Sequence, residues 1–475
     1  MRRLTWLLVA VAALVFSGQA WASSRHDSSV TMADGTKLAA TLWLPDGTPP
    51  AGGWPALVLF HGLGGSRADM NKLAQLAFLP GDQYAVLAYD ARGHGDSEGL
   101  IGVDGPNEIG DVKAMFAWLR DRPDVSDTEI GAWGISYGGG EVWNSLVAGV
   151  PWAAIEVCET WTNLATALVP QGLAKSGVLG GFLTEMPLSK FDTSVIALRD
   201  AAFSGNIAPV LPYAVERSSI QKLKGVKTPV FFMQGRRDFA FGLDQALSAW
   251  KLLAGPKHLW IGLHGHAPST FPAPDTPAML LEGRQWFDHC LLQIPNGIEK
   301  KAAVEVAPVT WKGTTRKYMS PFVIANRSFN VDEAGSSKTI GPLGRFVTPG
   351  IPNPGLTARN GFTVYGAPTV TVTATASGGW SRLVAILTAK TKAGKTIVVS
   401  GGGVPTKPGT HTYTIRMINQ MTFVPPSNLS VTFGSSSLAQ DPANLLYLLL
   451  PMPPNARLTI AANTKLHVPT VEPGY

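Results

Sequence analysis

The sequence predicts an α/β protein: a mostly parallel sheet covered by helices, a helical insertion within it, and an all-β sandwich behind it. Three observations carry that expectation. Short apolar runs alternate with helix-length stretches over roughly the first 300 residues, the rhythm of β-α-β units. The interval Trp161 to Ile220 breaks the rhythm, being long and rich in Leu, Ala and Gly. After Asn296-Gly297 the composition turns to Thr, Val, Gly and Pro, and helical periodicity fades.

The elements follow in order. Residues Ser29 to Leu44 read as a hairpin with Asp34-Gly35 at its tight turn. Ala56 to Phe60, Ala85 to Tyr89, Ile130 to Trp133, Ala153 to Val157, Val230 to Met233 and His258 to Leu263 are short apolar runs suited to buried strands. Between them, Asp69 to Phe78, Asn107 to Arg120, Gly138 to Ala148 and Asp244 to Leu253 have helix length. The interval from about 161 to 220 is expected to form a helical cap over the sheet's edge, where pocket-shaping residues commonly sit. From about 301 to 475, β-type runs at Thr369 to Ala374, Arg382 to Leu387, Thr396 to Val399 and His411 to Met417 predict a sandwich or jelly roll, with Gly401 to Gly403 read as a turn.

The first residues carry their own signal. Arg2-Arg3, the apolar run Leu4 to Phe16 and Ala20-Trp21-Ala22 form a basic start, a hydrophobic stretch and a small-residue cleavage site. The run is shorter than the ~18 apolar residues of a membrane span, so residues 1–22 are expected to be removed and the protein secreted or periplasmic. Removing two Arg and no acid lowers the formal net charge from +6 to +4. With 15% charged residues and no dense basic stretch, a nucleic-acid partner is not expected. No later segment reads as a stable transmembrane anchor. Cys158 and Cys290 are the two cysteines; one disulfide and two separate thiols are both open.

Chemistry enters at Gly134-Ile135-Ser136-Tyr137-Gly138, directly after an apolar run and before a helical stretch. In that context the string is a nucleophile elbow: a sharp turn exposes the serine, and the flanking glycines permit the close approach. A serine hydroxyl needs a base, and the base needs a carboxylate to hold its tautomer. Along such chains the order is Ser, acid, His. Asp238 follows the run at Val230 to Met233, and His266 follows the run ending at Leu263. Asp244 and His264 are their rivals; His266 is preferred because it lies further into its loop, behind Gly265. The oxyanion that forms at an attacked carbonyl needs two donors. Those expected are the N–H of Tyr137 and one from His61-Gly62-Leu63-Gly64-Gly65, at Leu63. His61 and the Asp90 to Ser97 turn are read as structural. No phosphate-cradling string and no metal-ligand spacing is present, so chemistry without cofactor or metal is expected.

At these residues the chain resembles the X-Pro dipeptidyl-peptidase and cocaine-esterase-like branch of the α/β-hydrolase superfamily. The resemblance rests on Met32-Ala33-Asp34-Gly35-Thr36-Lys37-Leu38 with Leu42-Trp43-Leu44-Pro45, on the Asp90 to Gly99 turn, on the elbow with Tyr after its Ser, and on Trp286-Phe287-Asp288-His289 leading to Asn296-Gly297. It implies an α/β-hydrolase domain over 23–300, a jelly-roll-like domain over 301–475, and cleavage of an acyl bond in a small ester or an Xaa-Pro peptide. Members of the branch often take one oxyanion donor from a Tyr hydroxyl; His61 to Gly65 is similar instead to the loop of ordinary lipases and esterases. A lipase or acyltransferase is the alternative within the class. A non-catalytic protein holding carbohydrate or cell envelope is the alternative outside it.

Overall fold

The computed structural model describes residues 23–81, 83–318, 325–332, 337–348, 350–352, 361–437 and 446–471. The expected leader, 1–22, lies outside them. Ten strands form one sheet: β1 (Ser23–Thr31), β2 (Lys37–Pro45), β3 (Trp54–Phe60), β4 (Ala85–Tyr89), β5 (Val125–Ile135), β6 (Ala154–Cys158), β7 (Val230–Gly235), β8 (Lys257–Gly262), β9 (Val304–Val306) and β10 (Arg316–Tyr318), in the order β1-β2-β4-β3-β5-β6-β7-β8-β9-β10. From β4 across to β9 every neighbour is parallel. The β1–β2 hairpin and β10 add antiparallel edges.

The central strands are mostly apolar because both faces are covered, with Glu156 of β6 and Gln234 of β7 buried among apolar neighbours. β4, β6 and β7 are buried at every position, as expected of parallel strands between two helical layers. The helices are α1 (Arg67–Leu73), α2 (Pro106–Arg120), α3 (Tyr137–Val147), α4 (Leu164–Leu168), α5 (Ser176–Phe182), α6 (Thr193–Ser204), α7 (Val210–Glu216), α8 (Leu243–Leu252) and α9 (Thr276–Leu292). α2, α3 and α8 pack on one face through Phe116, Trp143 and Ala249. α1 and α9 pack on the other through Met70, Trp286 and Phe287.

Between β6 and β7 the chain runs through α4 to α7, inside the interval expected to be a cap. Its short helices are stopped and started locally. Asn163 caps α4 by accepting from the Thr166 N–H, and Asp192 caps α6 by accepting from the Ser194 N–H. Leu164, Leu168 and Phe191 of this segment share a core with Tyr137 and Phe241 of the sheet's edge. The cap is thereby anchored over the carboxyl ends of the strands.

Two antiparallel sheets, of eight and five strands among the described residues, make the rest. Their facing apolar rows, such as Val370, Val372 and Ala374 against Leu383, Ala385 and Leu387, form a separate core. Two expectations are corrected here. The first sheet does not end at 300, because Val304–Val306 pairs with β8 through Leu259, Trp260 and Ile261. Gly401 to Gly403 is not a turn but the middle of a strand, Thr396–Pro405. A Cβ at Gly401 would meet Ile386 Cδ1 at 2.6 Å, and one at Gly403 would meet Leu173 Cδ2 at 2.6 Å. Glycine is there because neighbours press on the strand. Cys158 and Cys290 are both free thiols.

Candidate active site

The site is built at the carboxyl ends of β5 to β8, where a parallel sheet leaves its loops free to carry function. β5 ends at Ile135, and α3 begins at Tyr137. Ser136, in the single residue between, has φ 53° and ψ −114°. That conformation is strained for a residue with a side chain. The neighbours explain the glycines of the elbow: a Cβ at Gly134 would lie 2.4 Å from Gly138 O, and one at Gly138 would lie 2.4 Å from Phe60 O.

The strain is held from the next strand. Ser136 N–H donates to Cys158 O at 2.9 Å, and Thr160 Oγ1 donates to Ser136 O at 2.7 Å. So fixed, Ser136 Oγ lies 3.0 Å from His266 Nε2. His266 Nδ1 lies 2.8 Å from Asp238 Oδ2. The other hydrogen bonds to Asp238 come from backbone: His266 N–H to Oδ2 at 3.2 Å, and Ala240 and Phe241 N–H to Oδ1 at 2.9 Å each. Burial pushes the Asp238 carboxyl up, but the His266 charge and these hydrogen bonds outweigh it and leave it below the usual range. Burial lowers His266, and Asp238 more than reverses this, holding the imidazole above its ordinary value.

The loop that carries Asp238 is clamped on its far side. Arg236 O accepts from Met421 N–H at 2.7 Å, Leu243 N–H donates to Asn419 O at 2.9 Å, and Lys175 Nζ donates to Phe239 O and Ala240 O at 2.9 and 2.6 Å. Cap and β unit therefore both hold the loop. Phe182 and Phe241 stand edge-on to the His266 ring at 5.8 and 5.2 Å between centroids, making an apolar surround.

The other expected residues take these places. Gly62, next to the expected donor Leu63, lies beside the serine: a Cβ on Gly62 would be 3.6 Å from Ser136 Cβ. The Tyr137 N–H is the first of α3, one of those a helix leaves unpaired. His61 is buried, accepts from Ala91 N–H at 3.0 Å through Nε2 and contacts Gly62 O through Nδ1, which fits a structural role. Asp90 is buried and accepts from Arg67 and from Asp96 N–H, pinning its own turn. The rivals are elsewhere. His264 is fully buried, 3.9 Å from Glu159 and 4.0 Å from Asp275. Asp244 lines a separate cavity of about 340 Å³ with Lys175, Gln245 and Arg416.

One residue beside the site was not singled out by the sequence. Glu159, just past β6, is buried, and a carboxylate oxygen of it lies within 4.8 Å of ligand atoms of both Asp238 and His266. Its position at the carboxyl end of a core strand was the available signal. Two further groups bring three possible metal ligands within 4.8 Å, Cys158 with Glu159 and His264, and His258 with Glu282 and Glu305. Each joins residues far apart in the sequence, the end of β6 with the loop after β8 in one and β8, α9 and β9 in the other, so no sequence spacing announces it. In the second group His258 and Lys301 already pair with Glu282 at 2.9 Å each.

Comparison with known proteins points the same way. Residues 34–268 match the X-Pro dipeptidyl-peptidase (S15) family, a stretch that contains Ser136, Asp238 and His266. The chain is similar to a putative Xaa-Pro dipeptidyl-peptidase of Bacillus anthracis, 23% identical over 254 residues, covering 47% of this chain and 41% of that one. It is also similar to the quorum-quenching protein AidA of Acinetobacter baumannii, 32% identical over 145 residues, covering 28% of this chain and 47% of that one. The matched stretch thus spans less than half the length of either curated relative. In fold it resembles a CocE/NonD family hydrolase from Staphylococcus aureus, with TM-score 0.72, 13% identity and 94% of each chain covered.

Proposed function

We propose that the chain is a serine hydrolase of the X-Pro dipeptidyl-peptidase and cocaine-esterase-like branch of the α/β-hydrolase superfamily, with Ser136, His266 and Asp238 as its catalytic triad. It cleaves an acyl bond, in an ester or after an Xaa-Pro pair, through an acyl-serine. The observation that carries this is the 3.0 Å approach of Ser136 Oγ to His266 Nε2, with the imidazole held by Asp238 at 2.8 Å. His266 Nε2 takes the hydroxyl proton as Oγ attacks the carbonyl carbon. The Asp238 carboxylate keeps the proton on Nδ1 and stabilises the imidazolium. The N–H groups of Leu63 and Tyr137 receive the oxyanion. His266 then gives its proton to the departing alcohol or amine, and water attacks the acyl-serine by the same route in reverse. The apolar surround of His266 by Phe182 and Phe241 suits an apolar group next to the scissile bond. The leader at 1–22 supports export, to the periplasm or the medium.

The test is labelling with a fluorophosphonate, followed by rates on short and long p-nitrophenyl esters beside Xaa-Pro-p-nitroanilides. Wild type labels at Ser136, and Ser136→Ala loses both label and activity, by about 10⁴-fold or more in kcat. Retained activity in Ser136→Ala ends this reading. The ratio of ester to anilide rates assigns the substrate class. A precursor whose first 22 residues remain after expression with export would refute the leader.

A further inference from the structure

Two carboxylates stand against one imidazole, and the mechanism above uses only Asp238. The second, Glu159, is 3% exposed, and its Oε1 has no hydrogen-bond partner among the described residues. Its backbone is held at φ 48°, a conformation strained for a residue with a side chain, which persists only where surroundings impose it. Here they do. Glu159 N–H donates to Met233 O at 2.9 Å, its neighbour Cys158 accepts from Ser136 N–H at 2.9 Å, and its other neighbour Thr160 donates to Ser136 O at 2.7 Å. The turn that braces the elbow also aims this side chain to within 4.8 Å of ligand atoms of His266 and Asp238.

We infer that Glu159 is a second counter-charge to His266, a positioning residue that is silent while protonated and, once ionised, stabilises the imidazolium formed as Ser136 loses its proton. This rests on the triad reading above. A carboxylic acid adds no charge beside the imidazole. A carboxylate at this distance adds one in a site with little water, where charges act strongly. The imidazolium exists in the transition state and not in the resting base, so the extra anion lowers the barrier and raises kcat. The groups facing Glu159 fit the assignment. Asp238 from the loop after β7 is already charged and saturated with donors. His264 after β8 lies 3.9 Å away, with Asp275 before α9 4.0 Å behind it. Cys158 is its own neighbour, and burial pushes that thiol well above its usual range. Lys175 of the cap reaches His266 with an opposing charge. Burial pushes the Glu159 carboxyl up to about 8, against a downward pull from His266, so its ionisation falls on the alkaline side of neutrality.

The experiment is the pH profile of kcat on a p-nitrophenyl ester from about pH 5 to 9.5, with active sites counted by fluorophosphonate titration. Wild type gives two rises, one for His266 and one above neutrality of about tenfold, the equivalent of one pKa unit. Glu159→Gln keeps the first rise, stays within about twofold of wild type at pH 6, and is about tenfold slower at pH 9. Glu159→Asp retains two rises, and so does His264→Asn. A single rise in wild type overturns the inference whether or not any variant folds. A uniform loss across pH in Glu159→Gln overturns it too, since a structural role has no pH signature. So does a second rise that vanishes with His264 and survives Glu159→Gln. If wild type takes no label at Ser136, the triad reading itself fails; labelling with a single rise fails this inference alone.

Discussion

The loop after β7 and the space beneath α3 both bury carboxyl groups, and they treat them in opposite ways. After β7, Asp238 is fully buried yet held below its usual pKa, because backbone and imidazole donors are all aimed at it. Beneath α3, Asp104 is 2% exposed and both its carboxylate oxygens lack a hydrogen-bond partner among the described residues. Glu141 of α3 is buried beside it, and burial followed by repulsion among Asp104, Glu108 and Glu141 pushes Asp104 and Glu141 well up. A buried carboxyl keeps its charge only where the fold supplies donors to the charged form. Asp238 has them and can serve an imidazolium. At Asp104 the Arg217 charge and the Tyr137 hydroxyl do not offset burial and Glu108, and the carboxyl is pushed well above its usual range.

The largest expected effect breaks the comparison at Asp238. Asp238→Asn keeps the shape but offers an amide where His266 Nδ1–H needs an acceptor. In a triad that inverts the tautomer and lowers kcat by about 10⁴-fold. Asp104→Asn, equally buried and similarly conservative, leaves kcat within a few-fold. Steady-state rates on one ester for both variants decide it. Equal losses would mean that burial, and not the donor set, separates the two regions.

A smaller effect appears in stability, with the opposite sign. An acid whose folded pKa lies above its unfolded value binds more protons folded than unfolded between those two values. Stability then falls as pH rises from about 4 toward the folded value. Asp104 and Glu141 are such groups, so they weaken the fold increasingly toward alkaline pH. Asp104→Asn removes one ionisation while keeping a residue that tolerates the positive φ of 54° found there. Its gain over wild type in urea unfolding should grow between pH 5 and pH 9, to on the order of 1 kcal/mol. A gain that shrinks with pH would refute the raised pKa of Asp104.

How much of this was legible in the sequence follows the same division. The parallel sheet was readable because β4, β6 and β7, covered on both faces, are largely apolar, with Glu156 in β6 and Gln234 in β7 as the polar side chains among them. Ser136, Asp238 and His266 could be named, and the structure brings them together, because each follows such a run in a required order. Choosing His266 over His264 rested on Gly265, whose φ of 142° lets the loop double back. Glu159 offered only its place just past a core run, and Asp104 offered nothing, since hydropathy reads an acid as surface and no local pattern reveals that distant elements will cover it. Gly401 to Gly403 misled for a related reason: glycine marks a turn locally, and only the partners Ile386 and Leu173 turn it into a strand's point of close packing. β9 escaped because three residues are too few to show a period.

The smallest effect tests whether charge is what matters. Thr160 Oγ1 donates to Ser136 O at 2.7 Å, a neutral hydrogen bond that braces the elbow from the same turn that carries Glu159. Thr160→Val keeps the volume and the β-branch and deletes the donor. A neutral hydrogen bond contributes about 1 kcal/mol, so kcat should fall about fivefold, with KM little changed and the ratio constant across pH. That flat ratio distinguishes a brace on the serine from a charge beside the imidazole. If Thr160→Val instead removed the alkaline rise expected of Glu159, the two neighbours would act as one mechanical unit, and the contrast between donor-held and donor-poor carboxyls would not explain the site.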